Sequence, residues 1–548
     1  MLSMLDYKKI LEGMDDLKEI KEVSESKLYK DYSFKFLCTF DYLGNTFELF
    51  IPQAFPIKLP KITSISKIIH SHISYEGIVC LPNQEDIDYD LSDLEGALIK
   101  TMNSFKNLFS NSEDTELKEI EFEFNDYLPY YSNYSEKECY LCSSNVKDKG
   151  QFVIEEDKIL IGIDSILYKN YIHKSDKPNT RLNFTYLELS KLPKVSYELK
   201  PKEIYDCLTE ASLEKIKKLK KNVVTYFLLA YKLENGIYNY IFIKIIANLG
   251  KSGNHFLAEE SKLTVFSVRD ISFKFLRTRG GSQQIDDKVL VVGCGSVGSE
   301  VVDIMASSGF MDITIIDKDK LKYENTFRNS TGFYYLNKLE EYSKVSVIKK
   351  YIEMKYPDVR ITTYEEDLVD FLYSGKASLE LFKYIIICTG NNVLQKFINN
   401  YIYEKNIKTK LLFTWLEPYG IAEHILAVDS SKCGCYNCLC KSKNNIHFAP
   451  EGIDYKIRNN VCSGSYTPYG RISTVRLATL ISEMILNEYN NHCFKNQHIV
   501  KKGNFDTYLE KNYTLTEYAK FTEEQLKRMS SDFIFEGCEI CGKYNIDE

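Results

Sequence analysis

The chain has 548 residues, 44% of them hydrophobic and 27% charged, with a formal net charge of −7. At roughly 150 residues per domain this length predicts three or four domains, and the apolar share excludes a collagen-like, mucin-like or largely disordered chain. The slightly acidic balance argues against a large nucleic-acid footprint, and no run of about eighteen uninterrupted apolar residues is there to cross a bilayer. In chain order, Leu5, Ile10, Leu11, Met14 and Leu17 recur at helical spacing and predict one amphipathic N-terminal helix without a signal-peptide layout. Residues 34–61 alternate as strands (FKFLCTFDY, NTFELFIP) closed by turns at Pro52, Pro56 and Pro60. Residues 92–109 read as a helix, and the acidic NSEDTELKEIEFEFNDY as a linker or a long helix. Together these predict a small α+β unit over residues 1–125. Residues 126–275 hold short β-like runs (QFVIEEDKILIGID, RLNFTYLEL, YNYIFIKIIANL) and a helix-like piece from Glu203 to Lys221, which predicts a mixed α/β middle domain. Residues 276–548 alternate strands (VRITTYEED, YIIICTG, LLFTWLEP) with helices (Lys344 to Tyr356, Val393 to Lys405), the pattern of a parallel, doubly wound sheet. A cytoplasmic location is expected, and there the fifteen cysteines serve metal ligation, catalysis or burial and not disulfides.

The third segment opens with KVLVVGCGSVGSEVVDIMASSG, in which Gly293, Gly295 and Gly298 form G-x-G-x-x-G between a strand and a helix. Such a turn brings backbone N–H groups and a helix N-terminus against a phosphate. Asp317 ends the next strand, nineteen residues after Gly298, where a carboxylate reaches ribose hydroxyls. A nicotinamide oxidoreductase is the default for a glycine turn alone, but the residues downstream point elsewhere. DKDKLKYENTFRN places Asp317, Asp319, Asn325 and Arg328 in the pattern D-x-D, five residues, N-x-x-R, and Lys344 follows sixteen residues after Arg328. This pattern resembles the adenylating enzymes of the ubiquitin-activating, molybdopterin- and thiamine-biosynthesis type. The resemblance implies a Rossmann-like adenylation domain that binds ATP with magnesium: Asp317 on ribose, Asn325, Arg328 and Lys344 on phosphates. It also implies a homodimer in which Arg277 or Arg279 reaches the partner's site. Gly390 (YIIICTGNN) stands where that family has a magnesium-binding Asp, which gives Asp319 the larger share of the metal.

Two C-x-x-C pairs, Cys435 with Cys438 and Cys538 with Cys541, lie about a hundred residues apart and can close a tetrahedral four-thiolate zinc site. Cys433 and Cys440 lie close enough to substitute. The adenylating family carries such a structural zinc. Cys139 and Cys142 (ECYLC) are either half of another site or two buried thiols. Cys462 lies in the small polar loop NNVCSGSYTPYG, a setting that can give the exposure a nucleophilic thiolate needs; in ubiquitin-activating relatives a cysteine after the first knuckle takes the acyl group from the adenylate. Cys493 (NNHCF) is the second choice.

At the other end, FELFIPQAFPIKLPKI followed by IIHSHISYEGIVCLPN resembles the ubiquitin-conjugating fold over about residues 30–110. His70 to Cys80 is ten residues, the family's spacing from motif His to catalytic cysteine, and Leu81-Pro82 follows. His72 replaces the motif's Asn and is the residue left to donate to an oxyanion. A conjugating-like domain, a middle domain and an adenylating domain in one chain resemble the bacterial conjugating–activating fusion proteins of CBASS antiphage operons. That resemblance implies an ATP-dependent transferase that adenylates the C-terminus of a cGAS/DncV-like nucleotidyltransferase. It would then carry the acyl group on Cys462 and Cys80 and pass it to a lysine or other amine, without nucleic acid or membrane. The rival readings are a sulfur-carrier adenylyltransferase, which needs no Cys80, and a non-catalytic scaffold that ignores ATP.

Overall fold

Alternate large apolar side chains along residues 34–52 bury one sheet face, as the strand pattern requires. The protein is described here from a computed structural model covering residues 4–543 apart from 31, 82–89, 111–112, 147, 156, 173–179, 197, 220–222, 248–253, 259, 337–341 and 459–464. Strands β1 (Lys18–Glu22), β2 (Phe34–Tyr42), β3 (Asn45–Pro52) and β4 (Lys61–Ser64) form an antiparallel sheet in sequence order. The helix Leu94–Leu108 covers it, with Phe105 edge-on to Phe40 and Phe47 at 5.2 and 4.8 Å between ring centroids. The N-terminal helix, Met4–Glu12, stops short of the expected Leu17. Gly13 ends it, Asp15 and Asp16 follow, and the chain then enters the sheet edge as β1. The acidic stretch is helical, as Glu113–Phe122 and Phe124–Tyr127.

The middle segment, expected as mixed α/β, is a closed β-barrel with short helices in its connections. Strands β5 (Glu138–Leu141), β6 (Lys149–Ile154), β7 (Lys158–Ile161), β8 (Arg181–Leu189), β9 (Val224–Lys232), β10 (Tyr238–Ile246) and β11 (Lys262–Asp270) close in the order β10-β11-β5-β7-β6-β8-β9. Phe152, Phe184, Leu228 and Phe242 form one core of this barrel. Leu187, Leu229 and Ile243 face the other way and pack with Phe124, Leu128, Ile204 and Ile216. The single helix expected from Glu203 to Lys221 is two, Pro201–Tyr205 and Glu210–Lys217, because Thr209 caps a new start by accepting from Ser212 N–H. Sheet and barrel share one compact unit, Met1–Phe273.

The second unit is Lys274–Glu548. Strands β12 (Val289–Val292), β13 (Asp312–Ile316), β14 (Arg360–Tyr364), β15 (Tyr384–Ile387) and β16 (Lys410–Leu416) are parallel. β17 (Ala422–Asp429) adds antiparallel, and β18 (Ile457–Arg458) pairs with β19 (Ser465–Tyr466) as a separate ribbon. β20 (Gln497–Lys502) completes the order β14-β13-β12-β15-β16-β17-β20. The parallel, doubly wound sheet expected from sequence carries two antiparallel strands, β17 and β20, at one edge. Helices Ser296–Ser307 and Arg471–Asn491 cover one face through Val301, Met305, Leu477 and Ile481. Leu368–Ser374 and Asn392–Glu404 cover the other through Phe371, Ile398 and Ile402. The molecule is a multidomain α/β protein, with its sheet order turning at β12, the place where such sheets open a crevice.

Candidate nucleotide, thiol and metal sites

The glycine turn leaves β12 at Gly293 and enters the helix at Ser296, with Gly295 as its N-cap. Gly298 is obligatory: a Cβ there would lie 1.9 Å from the Gly293 carbonyl oxygen, while a Cβ on Gly295 would meet nothing within 4 Å. The turn is therefore tight on its inner side and open above the helix N-terminus, where an anion is favoured. Asp317 holds the turn, accepting Cys294 N–H at 2.6 Å through Oδ2 and Asp319 N–H at 2.7 Å through Oδ1. Lys344 begins its helix one residue after the Ser343 cap. Its Nζ lies 2.7 Å from Asp319 Oδ2 and 4.0 Å from Asp317 Oδ2, with the lysine side chain 11% exposed and that of Asp319 58% exposed.

The other two predicted phosphate residues are oriented differently. Asn325 accepts Lys322 N–H at 3.0 Å and caps its own turn. Arg328 donates to the Thr467 carbonyl at 3.4 Å and lies over the rings of Tyr466 and Tyr469, 5.6 and 5.1 Å from their centroids. Tyr469 in turn bonds Ser296 Oγ at 3.0 Å, tying this arginine to the glycine turn. Asn329, which sequence reasoning passed over, is 2% exposed and donates to the Cys294 carbonyl at 3.3 Å. Gly390 has φ +61, a left-handed conformation that glycine adopts freely, and the adjacent Asn391 spends its side chain capping Val393 and Leu394 N–H. One solvent-facing carboxylate, Asp319, suits an ion such as magnesium that keeps water and phosphate ligands. Arg277 is committed to Asp358 at 2.7 Å and to the Ala306 carbonyl at 3.0 Å, whereas Arg279 is exposed.

The two cysteine pairs meet. Cys435, Cys438, Cys538 and Cys541 are buried with all four sulfurs within 4.8 Å of one another. The closest separations are 3.4 Å (Cys438 to Cys541) and 3.8 Å (Cys435 to Cys538); a tetrahedral ion bonded at about 2.3 Å spaces its thiolates about 3.8 Å apart. The donor set fits zinc. Cys433 is a fifth buried thiol, 3.5 Å from Cys541, and Cys440 is exposed. Asn496, not singled out from sequence, holds the first knuckle by donating to the carbonyls of Cys433 and Gly434 at 2.9 and 3.0 Å. Cys139 and Cys142 are buried in two different apolar clusters, and among the described residues only the four-cysteine group has metal-site geometry.

In the first unit Cys80 is exposed on a cleft of about 1120 Å³, walled by Lys61, His72, Glu123, Asp126 and Tyr134 among others. Partial desolvation by the cleft, then Glu123 and Asp126, hold its thiol above the ordinary value, while Lys61 opposes them. Cys80 N–H donates to the His72 carbonyl at 2.7 Å. The His72 ring is not free for an oxyanion: its two nitrogens face Glu119 and Glu123, each at 3.4 Å. His70 Nδ1 donates to the Ser71 carbonyl at 2.7 Å. Pro82 and Cys462 lie outside the described residues; the β18–β19 ribbon flanks 459–464, and Cys493 is exposed beyond the helix Arg471–Asn491.

Residues 268–508 match the model of the ThiF family. The chain carries a ThiF-family domain. It is 21% identical over 505 residues to the ATP-dependent ubiquitin transferase-like protein Cap2 of Escherichia coli (strain TW11681), covering 80% of this chain and 83% of that one. So long an overlap exceeds the ThiF domain, and the likeness to a bacterial ThiF-type fusion runs over 80% of this chain. Ubiquitin-like modifier-activating enzyme 5 of Drosophila ananassae is 26% identical over 201 residues, 33% of this chain and 47% of that protein. Among solved structures, E. coli MccB with AMPCPP and MccA is 18% identical at a TM-score of 0.31, over 40% of this chain; the match spans 61% of that chain's length. No helix among the described residues is long and apolar enough to cross a membrane.

Proposed function

We propose that this ThiF-type protein is an ATP-dependent ubiquitin-like activating and conjugating transferase of bacterial antiphage defence. In the Rossmann-like adenylation domain, ATP would lie over Gly293–Gly298, with Asp317 at ribose and Lys344 and Arg328 at the phosphates; Asn325 joins them by turning from its own cap. Magnesium, with Asp319, would neutralise phosphate charge. Zinc on Cys435, Cys438, Cys538 and Cys541 would be structural. A carboxylate oxygen at the C-terminus of a cGAS/DncV-like nucleotidyltransferase attacks the α-phosphorus, and pyrophosphate leaves. The Cys462 thiolate attacks the resulting acyl carbonyl and AMP leaves; Cys80 takes the acyl group by thiol exchange, its proton passing to the departing thiolate. An acceptor amine then attacks the Cys80 thioester, loses a proton and releases the thiol. Dividing one difficult acylation into activated steps is what two thiols provide. Since Arg277 is committed to Asp358, Arg279 is the arginine that a homodimer would lend.

The observation that carries this reading is an exposed Cys80 in a large cleft on the same chain as a ThiF-family domain, which a sulfur-carrier adenylyltransferase does not require. The test mixes protein, ATP, magnesium and the neighbour-encoded nucleotidyltransferase on reducing and non-reducing gels. Wild type should give a covalent adduct, Cys462→Ala none, and Cys80→Ala a reducible adduct that goes no further. Conjugation by both variants would remove the cysteine assignments.

A further inference from the structure

The connection between the conjugating-like sheet and the barrel reaches into the Cys80 site. Tyr127, 2% exposed and followed at once by the barrel-packed Leu128, puts its hydroxyl between two backbone groups of the loop that leads to Cys80. It accepts His72 N–H at 3.2 Å, and its proton is shared between the His70 carbonyl (3.2 Å) and Glu123 Oε2 (3.3 Å). His72 has φ +63, in the left-handed region that residues with a Cβ adopt uncommonly. Its N–H is held by Tyr127 and its carbonyl by Cys80 N–H at 2.7 Å. A two-bond chain thus runs from the Tyr127 hydroxyl through one residue's backbone to the Cys80 amide. Tyr130 clamps the same loop on either side, donating its proton among the carbonyls of Ile68 (2.8 Å) and Ser74 (3.1 Å).

We infer that Tyr127 is a positioning residue for the Cys80 thiol, so that the barrel connection is a working part of the conjugating site. The role deepens the transferase reading and rests on it for its biological meaning, but the geometry concerns Cys80 itself. Losing the hydroxyl while keeping the ring should release His72 from its left-handed turn and let Cys80 swing away from Glu123 and Asp126.

The experiment compares full-length wild type, Tyr127→Phe and Tyr131→Phe. Tyr131 is a control because its hydroxyl donates to the Lys194 carbonyl at 2.9 Å, away from the loop. Iodoacetamide labelling is followed across pH at the Cys80 peptide by mass spectrometry, beside melting temperature and discharge of acyl-Cys80. Tyr127→Phe should lower the pH of half-maximal labelling, raise the labelling rate at pH 8 on the order of fivefold, as loss of one buried hydrogen bond allows, and slow discharge. Tyr131→Phe should leave labelling unchanged. An unchanged profile in Tyr127→Phe, or the same shift in both variants, overturns the inference. Should Tyr127→Phe not fold, Tyr130→Phe is read by the same criterion. A shifted profile in a protein whose wild type never carries acyl on Cys80 keeps the positioning role and removes the transferase reading.

Discussion

Glu123 and Asp126 give Cys80 an electrostatic setting unlike that of a thiol selected for direct attack on a soluble electrophile. Desolvation and two carboxylates favour the protonated form, and Lys61 only partly offsets them. A free thiol ordinarily titrates near 8.5, so at pH 8 less than the usual share of Cys80 is thiolate. Its alkylation should therefore keep climbing well above pH 8.5, and Asp126→Asn should accelerate it at pH 8 roughly two- to fivefold by removing one of the two charges. Peptide-level labelling rates between pH 7 and 10 check this, and a slower or unchanged rate would contradict it. The same residue-scale reading separates Arg277, doubly engaged and inward, from Arg279, exposed at the end of the helix Phe273–Arg279.

The glycine turn was legible in the sequence because its determinants are local: four elements follow one another within thirty residues, and the glycines fall where the geometry needs them. Two of its three glycines, Gly295 and Gly298, nevertheless differ in a way that only the fold reveals. Gly298→Ala must open the turn, since the new Cβ would sit 1.9 Å from the Gly293 carbonyl; it should cost the second unit about 1–3 kcal/mol and abolish ATP–pyrophosphate exchange. Gly295→Ala meets no atom, so the melting temperature should hold while the KM for ATP rises, because the Cβ enters the open space over the helix N-terminus. The β16–β17–β20 edge was less legible, because its polar core is assembled from distant segments. Trp415 stacks on His424 (4.7 Å) and His498 (5.5 Å), and Glu417 accepts from His424 at 2.8 Å and from Phe448 and Ala449 N–H. Burial, then His424, hold His498 well below its ordinary pKa. The folded state therefore keeps His498 neutral as pH falls through 6.5, while the unfolded chain takes up a proton, so stability is full above that pH and lost below it. Melting between pH 7.5 and 5.5 should drop further in wild type than in His498→Gln; equal drops would assign the loss to other groups.

At the scale of the whole molecule, long-range pairings explain what sequence reasoning could and could not reach. The barrel closes by parallel pairings, β5 with β7, β8 with β9 and β11 with β5, whose partners lie up to 129 residues apart and carry no periodic signature. Tyr127 and Asn496 act through backbone groups of distant loops and so leave no motif. The four-cysteine group is also long-range, yet it was legible because cysteine pairs at knuckle spacing announce their chemistry before their partners are known. Those four thiols tie residues 435–438 to 538–541 against Phe413 and Leu426 of the central sheet. A closed thiolate site contributes folding energy when metal is bound and leaves buried thiols when it is stripped. One equivalent of zinc per chain should be released by thiol titration, and chelation or Cys538→Ser should lower the melting of the second unit and extinguish ATP–pyrophosphate exchange. Cys80 labelling should not change, because the cleft that sets its reactivity is built wholly within residues 29–267. Exchange that survives complete metal removal would show that the knuckles do not support the adenylating unit, and a parallel loss of the Cys80 profile would show that the two compact units fold as one.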